Sequence, residues 1–225
     1  MGKLIVLEGL DGSGKATQAR RLAEAIAQKG LPVRQITFPN YESPFCTPVK
    51  EYLGGALGEH PGDVNAYAAS ILFTIDRFAS FRQDWQAFYE AGGILVADRY
   101  TTSNAVHQCS KLAPEHWQEY TDWLFELEYR RVGIPAPDLV VYLATDPAVS
   151  QRLLSGRYHG QEEKKDIHEK DLDYQAHSRA AAAWCAARLG WQTVDCCEAD
   201  GMKSIEEIAR QVWRLAAPLL DQKGE

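Results

Sequence analysis

The sequence predicts an α/β fold in which helices flank a five-stranded parallel sheet. Five short apolar runs alternate along the chain with longer segments of helical periodicity. Two of these runs, "GILVAD" and "PDLVVYL", are apolar at nearly every position, which is typical of parallel strands buried on both faces. Strands that alternate with helices in this way indicate a doubly wound sheet.

The predicted strands cover residues 3–8, 33–38, 93–98, 138–143 and 191–195. A long helix is predicted to begin after Asp63, which takes the N-cap position in "HPGD", and to end at Gly92 and Gly93. Residues 155–171, "SGRYHGQEEKKDIHEKD", have no apolar period and are rich in glycine and in charges of both signs. They predict a mobile loop or lid.

The composition favours one folded domain over residues 1–225. Hydrophobic residues make up 45% of the chain and charged residues 24%, a balance typical of globular proteins. A net charge of -7 gives no electrostatic reason to expect a nucleic-acid or membrane partner. Five cysteines without a CxxC pair indicate reduced thiols rather than a zinc site. Because the chain shows no leader pattern and no apolar stretch near the ~20 residues that span a bilayer, we expect a cytoplasmic protein.

A glycine-rich loop follows the first predicted strand and precedes a predicted helix. Its sequence, "GLDGSGKATQ" (residues 9–18), has the spacing of a phosphate loop: glycine, four residues, then Gly-Lys. The glycines let backbone N–H groups turn toward one point, the helix adds its positive end, and Lys15 adds a mobile charge. The loop therefore predicts a phosphate site for ATP. Its candidate residues are Gly9, Leu10, Asp11, Gly12, Ser13, Gly14, Lys15, Ala16 and Thr17.

Ala16 departs from the usual pattern, because a serine or threonine at this position normally offers a hydroxyl to Mg²⁺. Thr17 cannot replace it, since it lies about 100° further round the helix. The strand "GGILVAD" ends in Asp98, at the sheet edge where such folds build their sites. Asp98 is therefore a candidate to hold Mg²⁺, directly or through water; a helix cap after the strand is the alternative.

Two residues of the long helix suit the binding of a phosphoryl acceptor that carries a nucleotide base. Phe73 and Arg77 are four residues apart and so share a helix face, which pairs a flat aromatic surface with planar hydrogen-bond donors. Such a pair can stack on a base and bind its edge. Taken singly, Phe73 is better explained by core packing and Arg77 by a solvated surface charge.

Four motifs, in this order and spacing, resemble the thymidylate kinase family: "GLDGSGKATQ", "FPNYES", "ILFTIDR" and "DRYTTSNAVHQ". The resemblance covers nearly the whole chain, as far as "VDCCEADGMKSIEEIA". It implies the fold of a P-loop nucleoside monophosphate kinase with a lid at about residues 155–171. It also implies a homodimer that uses ATP and Mg²⁺ to phosphorylate dTMP to dTDP in nucleotide biosynthesis.

The resemblance further implies a role for each matching residue. Asp11 would hold the sugar 3′-hydroxyl, and Arg99 would grip the acceptor phosphate. Phe73 would stack on thymine while Arg77 donates a hydrogen bond to its O4. The other residues that would line the substrate pocket are Phe38, Tyr41, Ser103, Asn104, His107 and Gln108.

Members of this family take their transition-state arginine either from the phosphate loop or from the lid. The loop here has Gly12 and Ser13 after Asp11 and no arginine, so the resemblance directs attention to the lid. Arg157 would then be catalytic together with Lys15, Arg99 and Asp11, and Arg152 would lie nearer the adenine of ATP. A solvated charge is the alternative for Arg157.

His107 stands where the family usually carries tyrosine or phenylalanine beneath the sugar, which leaves the preference for deoxyribose open. Two other functions also stay open at this point. One is another nucleotide or nucleoside kinase of the same fold, although Arg77 and Arg99 favour a monophosphorylated pyrimidine. The other is a nucleotide-binding regulatory module, which Ala16 would suit but which needs neither the acceptor motifs nor a lid arginine.

Overall fold

The computed structural model describes residues 1–146, 149–150, 167–198 and 201–221. Five strands form a parallel sheet in the order β2-β3-β1-β4-β5. Their bounds are β1 Lys3–Glu8, β2 Val33–Thr37, β3 Ile94–Asp98, β4 Leu139–Ala144 and β5 Gln192–Asp195. The predicted sheet is confirmed, because each strand begins and ends within about one residue of the expected position.

The central strand β1 is buried on both faces because its side chains alternate between two hydrophobic clusters. Leu4 and Val6 pack into one cluster, while Ile5 and Leu7 pack into the other. All four side chains are fully buried. β3 lies on one side of β1 and β4 on the other, so the strand order reverses at β1. Sheets of this kind bind ligands at the carboxyl ends of the strands beside such a reversal.

Helices cover both faces of this sheet. The helical bounds are α1 Lys15–Gln28, α2 Thr47–Leu53, α3 Ala66–Ser80, α4 Gln86–Glu90, α5 Thr101–Cys109, α6 Trp117–Phe125, α7 Ile167–Lys170, α8 Leu172–Arg188 and α9 Ile205–Leu220. Two wider, π-helical segments follow α3 and α6, at Phe81–Trp85 and Glu126–Val132. The last two strands, β6 Cys197–Glu198 and β7 Gly201–Met202, form a separate antiparallel pair.

The predicted start of the long helix is wrong by two residues. Asp63 lies in a 3₁₀ turn, where its Oδ2 accepts a hydrogen bond from the His60 backbone N–H. Asn65 is the N-cap instead, since its Oδ1 accepts a hydrogen bond from the Ala68 N–H at 2.8 Å. Both residue types cap helices well, so composition alone could not separate them. The helical course continues through Phe81–Trp85 into α4 and ends just before Gly92, which has a left-handed φ of 91°.

The predicted lid, residues 155–171, lies outside the described residues as far as position 166. The described chain resumes at Ile167 with the short helix α7. Ile167 and His168 are buried. Ile167 packs into a small hydrophobic cluster with Val49 and Tyr52 of α2.

Candidate active site

A cavity of about 1060 Å³ lies at the carboxyl ends of β1 and β3. It extends from the glycine-rich loop after β1 to the α3 face that carries Phe73 and Arg77. The predicted site residues that line it are Asp11, Gly12, Gly14, Lys15, Ala16, Thr17, Phe38, Tyr41, Phe73, Arg77, Asp98, Arg99, Ser103, Asn104, His107 and Gln108. The fold thus brings the predicted donor and acceptor residues into one cavity.

Five predicted residues are not among those lining the cavity. Gly9, Leu10 and Ser13 lie in the loop but contribute to its shape rather than to the cavity wall. A side chain at Gly9 would approach Ser13 Oγ to 2.6 Å and the Leu143 carbonyl to 2.9 Å, so the loop needs glycine there. Arg152 and Arg157 lie outside the described residues.

The loop presents the N-terminus of α1 to the cavity. Gly14 is the N-cap, in a left-handed conformation with φ 85°. As a glycine it provides no side-chain hydrogen bond to the first N–H groups of the helix. No acidic residue occupies the first turn. The first N–H groups of α1 lack intrahelical partners by the geometry of any helix, and the helix dipole is positive there. An anion such as a nucleotide phosphate satisfies both features.

Hydrogen bonds hold the Lys15 side chain against this loop. Its Nζ donates hydrogen bonds to the Leu10 carbonyl at 2.8 Å and to Ser13 Oγ at 3.4 Å. Burial lowers the pKa of Lys15 to about 8, with the charge of Arg99 acting in the same direction and Asp11 opposing it. The amine therefore stays largely protonated at pH 7, as binding to a polyphosphate requires.

Asp98 satisfies a physical requirement for a magnesium ligand. Its Oδ1 is buried and accepts no hydrogen bond from any group in the described part of the chain. The Asp98 side chain lines the same cavity as Ala16, which is exposed and has no side-chain oxygen. Carboxylate oxygen is the ligand type that Mg²⁺ prefers. The residues present therefore fit the ion, with the Asp98 carboxylate in place of the hydroxyl that position 16 lacks. Among the described residues no cluster of three or more His, Cys, Asp or Glu side chains could hold a metal by itself.

Arg99, the residue after β3, occupies a strained backbone position. Its φ is 65°, in the left-handed region that side chains other than glycine rarely adopt. Strain of this kind persists where the surrounding structure fixes it, and it is concentrated at functional sites. Here the Arg99 N–H donates to the Leu7 carbonyl of β1 at 3.1 Å. The turn directs the guanidinium back over the phosphate loop.

Four side chains hold the Arg99 guanidinium. Nη2 donates to Asp11 Oδ1, and Nη1 donates to Ser103 Oγ at 3.2 Å and lies 3.3 Å from His107 Nε2. Glu8 Oε1 is 3.7 Å from Nη1. Burial opposes the charge on Arg99, but Asp11 and Glu8 outweigh it and raise the Arg99 pKa. Burial also opposes the charge on Asp11, which by itself would raise the Asp11 pKa. The positive charges of Arg99 and Lys15 outweigh burial and hold that pKa well below its ordinary value.

The other end of the cavity is aromatic and nearly free of net charge. Phe73 packs edge-on against Tyr52, with ring centroids 6.1 Å apart. Phe38 is buried and lies against Tyr100 at 5.8 Å, whereas Tyr41 is largely exposed. Arg77 is not a solvated surface charge, because it is 2% exposed and pairs with the buried Glu128. The structure thus offers a ring and a paired guanidinium on one helix face.

Two buried amides complete this end of the cavity. Asn104 Nδ2 donates to the Ser70 carbonyl at 3.4 Å. Gln108 is fully buried, and neither its Nε2 nor its Oε1 has a hydrogen-bond partner within the described residues. Buried polar groups without partners are uncommon in native proteins, and a ligand is one way to satisfy them. Gln108 therefore offers a donor NH₂ group and an acceptor oxygen to a bound molecule.

His107 lies between the two ends. Because arginine only donates hydrogen bonds, the contact with Arg99 makes His107 Nε2 an acceptor and places the proton of the neutral ring on Nδ1. Burial, followed by the charge of Arg99, lowers the pKa of His107 to about 3. Its ring stacks on those of His168 and Tyr174, and the Tyr174 hydroxyl donates to the His107 carbonyl at 2.8 Å.

Several residues of this site could not be found in the sequence. His168 and Tyr174 contact His107 across more than sixty positions of chain, with no periodic signal to connect them. Met202, Lys203 and Ile205 line the cavity near the phosphate loop because β6 and β7 fold back toward Gly14. The segment "ADGMKSIEEIA" carries these residues, but its spacing resembles an ordinary turn before a helix.

The fold and the cavity define a class of protein. A phosphate loop after β1 faces an arginine after β3 and an aromatic pocket beside α3, which is the arrangement of a P-loop kinase for a small phosphorylated acceptor. The family model described as thymidylate kinase matches residues 7–212. The chain therefore belongs to the thymidylate kinase family, whose members phosphorylate dTMP to dTDP with ATP.

Relatives from distant organisms agree with this assignment. The thymidylate kinase of Mycobacterium tuberculosis is 31% identical over 194 residues, which cover 84% of this chain and 87% of that protein. The thymidylate kinase of Caenorhabditis elegans is 32% identical over 158 residues, or 66% of each chain. That of Danio rerio is 26% identical over 227 residues, which cover all of this chain and 94% of the relative. Across the described residues no helix is both long enough and apolar enough to cross a bilayer.

Proposed function

We propose that a single kinase domain transfers the γ-phosphoryl group of ATP to dTMP, with ATP on the phosphate loop and dTMP between Arg99 and Arg77. The observation that carries this proposal is the position of Arg99. It reaches from the end of β3 to Asp11 of the phosphate loop, in the same cavity as Phe73 and Arg77. An acceptor phosphate bound there lies directly beside the donor phosphates.

On the donor side, the N-terminus of α1 and Lys15 bind the β- and γ-phosphates of ATP. Asp98 is the residue that would hold Mg²⁺, through water or directly, in place of the hydroxyl that Ala16 lacks. The ion, when bound, neutralises charge on the β- and γ-phosphate oxygens. Met202 and Ile205 line the cavity, Met202 beside Gly14 of the phosphate loop, and would contact the nucleoside part of ATP.

On the acceptor side, Arg99 exchanges Asp11 for the dTMP phosphate. The bound phosphate accepts the hydrogen bond from Arg99 Nη2 that Asp11 accepts in the free protein. Asp11 then accepts a hydrogen bond from the 3′-hydroxyl of the sugar. Phe73 stacks on the pyrimidine, Arg77 donates to O4, and Gln108 supplies further polar contacts. An extended aromatic contact plus one donor suits a base that presents a carbonyl at that edge.

Phosphoryl transfer then needs no protein base. An oxygen of the dTMP phosphate is already anionic, so it attacks the γ-phosphorus as the bond from that phosphorus to the β–γ bridging oxygen breaks. ADP leaves with the bonding electrons. What the protein supplies is the alignment of two polyanions and positive charge around the transferred group.

Arg157 supplies part of that charge in our proposal. The phosphate loop contains no arginine between Asp11 and Lys15, so residues 155–171 act as a lid that brings Arg157 to the transferred phosphoryl and Arg152 toward adenine. A transition-state arginine can contribute several orders of magnitude in rate. Replacing Arg157 with alanine should lower kcat far more than it changes the KM for dTMP.

The exposed face of α3 supports a homodimer. Tyr67, Ile71, Ile75 and Phe78 form an apolar stripe at helical spacing, and each is more than a third exposed. A stripe of this kind rarely stays in contact with water on a soluble chain. A second copy that packs the same face against it would bury the stripe symmetrically. The five free thiols support a reducing, cytoplasmic setting for this dimer.

A coupled ADP-release assay with ATP, Mg²⁺ and a panel of acceptors tests the proposed function. We expect dTMP to be the best substrate, and thymidine and purine monophosphates to be poor ones. Release of ADP with no acceptor dependence would support a regulatory nucleotide switch instead. Activity with thymidine but not with dTMP would support a nucleoside kinase.

A further inference from the structure

Glu128 does not line the cavity but lies behind Arg77, at the aromatic end that also carries Phe73. The side chain is 0% exposed and belongs to the π-helical segment Glu126–Val132. Arg77 donates to it twice, from Nε to Oε2 at 2.8 Å and from Nη2 to Oε1. Thr101 Oγ1 donates to Oε2 at 3.0 Å. The single Thr74 hydroxyl proton is shared between Oε1 at 3.0 Å and the Ser70 carbonyl at 2.9 Å. Each carboxylate oxygen therefore has one arginine donor and one threonine hydroxyl within hydrogen-bond distance.

Backbone hydrogen bonds also hold Glu128 in place. Its carbonyl accepts hydrogen bonds from the N–H groups of Gly133 at 3.0 Å and Ile134 at 3.1 Å. Gly133 has a φ of 81° and ends the π-helical segment. Segments of π-helix are rare and are frequently found at functional sites. Here the wider turn holds a carboxylate against Arg77, 51 positions earlier in the chain.

This contact determines which nitrogen Arg77 can offer. The guanidinium is planar and rigid, so holding its Nε and Nη2 edge fixes the direction of Nη1. In the described part of the chain Nη1 donates to no protein group, and Arg77 lines the cavity. Burial disfavours the charge on Arg77, but Glu128 outweighs burial and raises the Arg77 pKa. The wall of the cavity therefore contains a hydrogen-bond donor, Arg77, whose positive charge is neutralised by Glu128.

We propose that Glu128 is a positioning residue that sets the pyrimidine preference of the acceptor pocket. It presents Arg77 as an oriented donor without a net charge. Such a donor binds a base that carries a carbonyl at its 4-position and disfavours one that carries an amino group there, because two donors then face each other. The inference rests on the proposed function and names a residue that acts through Arg77.

A purely structural role for Glu128 predicts something different. Removing one partner of a buried ion pair destabilises a protein in any case. Loss of stability alone, however, lowers the amount of active enzyme and leaves the ratio of two substrates unchanged. The ratio of kcat/KM for dTMP to kcat/KM for dCMP therefore separates positioning from packing.

The first test replaces Glu128 with glutamine, which keeps the volume but offers one acceptor oxygen in place of two. We expect the KM for dTMP to rise about tenfold or more, the dTMP to dCMP ratio to fall by about the same factor, and the KM for ATP to stay unchanged. The control is Glu126→Gln, which removes a partly exposed carboxylate of the same segment that pairs only with Arg130 and Arg131 among the described residues, and it should leave all these values unchanged. An unaltered dTMP to dCMP ratio in folded Glu128→Gln overturns the proposal.

A second variant covers the case in which Glu128→Gln does not fold. Thr101→Val removes one hydrogen bond to Glu128 and keeps the buried ion pair and the side-chain volume. We expect its dTMP to dCMP ratio to fall severalfold. Thr121→Val is the matched control, because Thr121 is equally buried but donates only to the backbone of its own helix. A Thr101→Val ratio equal to that of Thr121→Val contradicts the proposal. Absence of dTDP formation by the unaltered protein would instead refute the proposed function.

Discussion

Replacing Arg99 with lysine tests the acceptor site through a small, defined change. Lysine keeps a positive charge beside Asp11 and Glu8, so neither carboxylate is left without a cation. Both residues must adopt the same φ of 65°, so the backbone strain cancels in the comparison. What is lost is the planar fork that binds phosphate through two parallel N–H groups.

The magnitude follows from one lost hydrogen bond between charged groups. Such a bond contributes about 1.5–3 kcal/mol, which corresponds to about a tenfold to 150-fold loss of kcat/KM for dTMP. The guanidinium is 16% exposed and is held by Asp11, Ser103 and His107, so a lysine amine cannot reach all of these positions and the phosphate at once. In the proposed arrangement ATP binds at the other half of the cavity, so the KM for ATP should change by less than about threefold.

Steady-state kinetics with ADP-release coupling, at saturating ATP and varied dTMP, measures this effect. Arg131→Lys is the matched control, because that arginine is exposed and pairs only with Glu126 among the described residues. A kcat/KM for dTMP within threefold of the unaltered protein would refute the role of Arg99. So would an equal loss of affinity for ATP and dTMP, because that outcome indicates general damage to the fold.

Three further predictions follow from the same contacts. Asp98→Asn should raise the Mg²⁺ concentration needed for half-maximal ADP release, and an unchanged requirement would remove Asp98 from the metal site. Burial holds the pKa values of His107 and His168 below the ordinary 6.5, so the unfolded chain binds more protons below that pH and the folded state loses stability as pH falls. Urea titrations at pH 7.5 and 5.5 should show a fall in unfolding free energy of up to about 1.4 kcal/mol per pH unit for each histidine, and His168→Asn should reduce this fall. Equal unfolding free energies at both pH values would contradict this. Asn65→Ala should cost about 1 kcal/mol of unfolding free energy and leave activity intact, whereas Asn65→Asp should keep the cap; an alanine variant as stable as the aspartate variant would argue against capping.

The sequence predicts the sheet and the phosphate loop because both depend on local patterns. A buried parallel strand is apolar at almost every position, and "GILVAD" and "PDLVVYL" show this without reference to any partner. The loop "GLDGSGKATQ" contains its own glycines, lysine and helix start. Phe73 and Arg77 could be paired for the same reason, since four residues on a helix share one face.

Contacts between distant segments could not be predicted in this way. Nothing in "ELEYRRV" distinguishes the buried Glu128 from the partly exposed Glu126, two positions earlier, because burial depends on how the segment packs on α3 and α5. Arg77 viewed alone resembles a surface charge for the same reason. The left-handed backbone of Arg99 is also invisible in sequence, because glycine rather than arginine is the residue that marks such a conformation.

The central claim is that this cavity passes a phosphoryl group from ATP to dTMP, and the fate of labelled phosphate tests it most directly. The protein is incubated with ATP labelled at the γ-phosphate, Mg²⁺ and dTMP, and the products are separated. The arrangement of Lys15, Arg99, Phe73 and Arg77 predicts that the label appears in dTDP, in equal amount to the ADP formed. Label that appears only as inorganic phosphate, at a rate independent of dTMP, would contradict the claim.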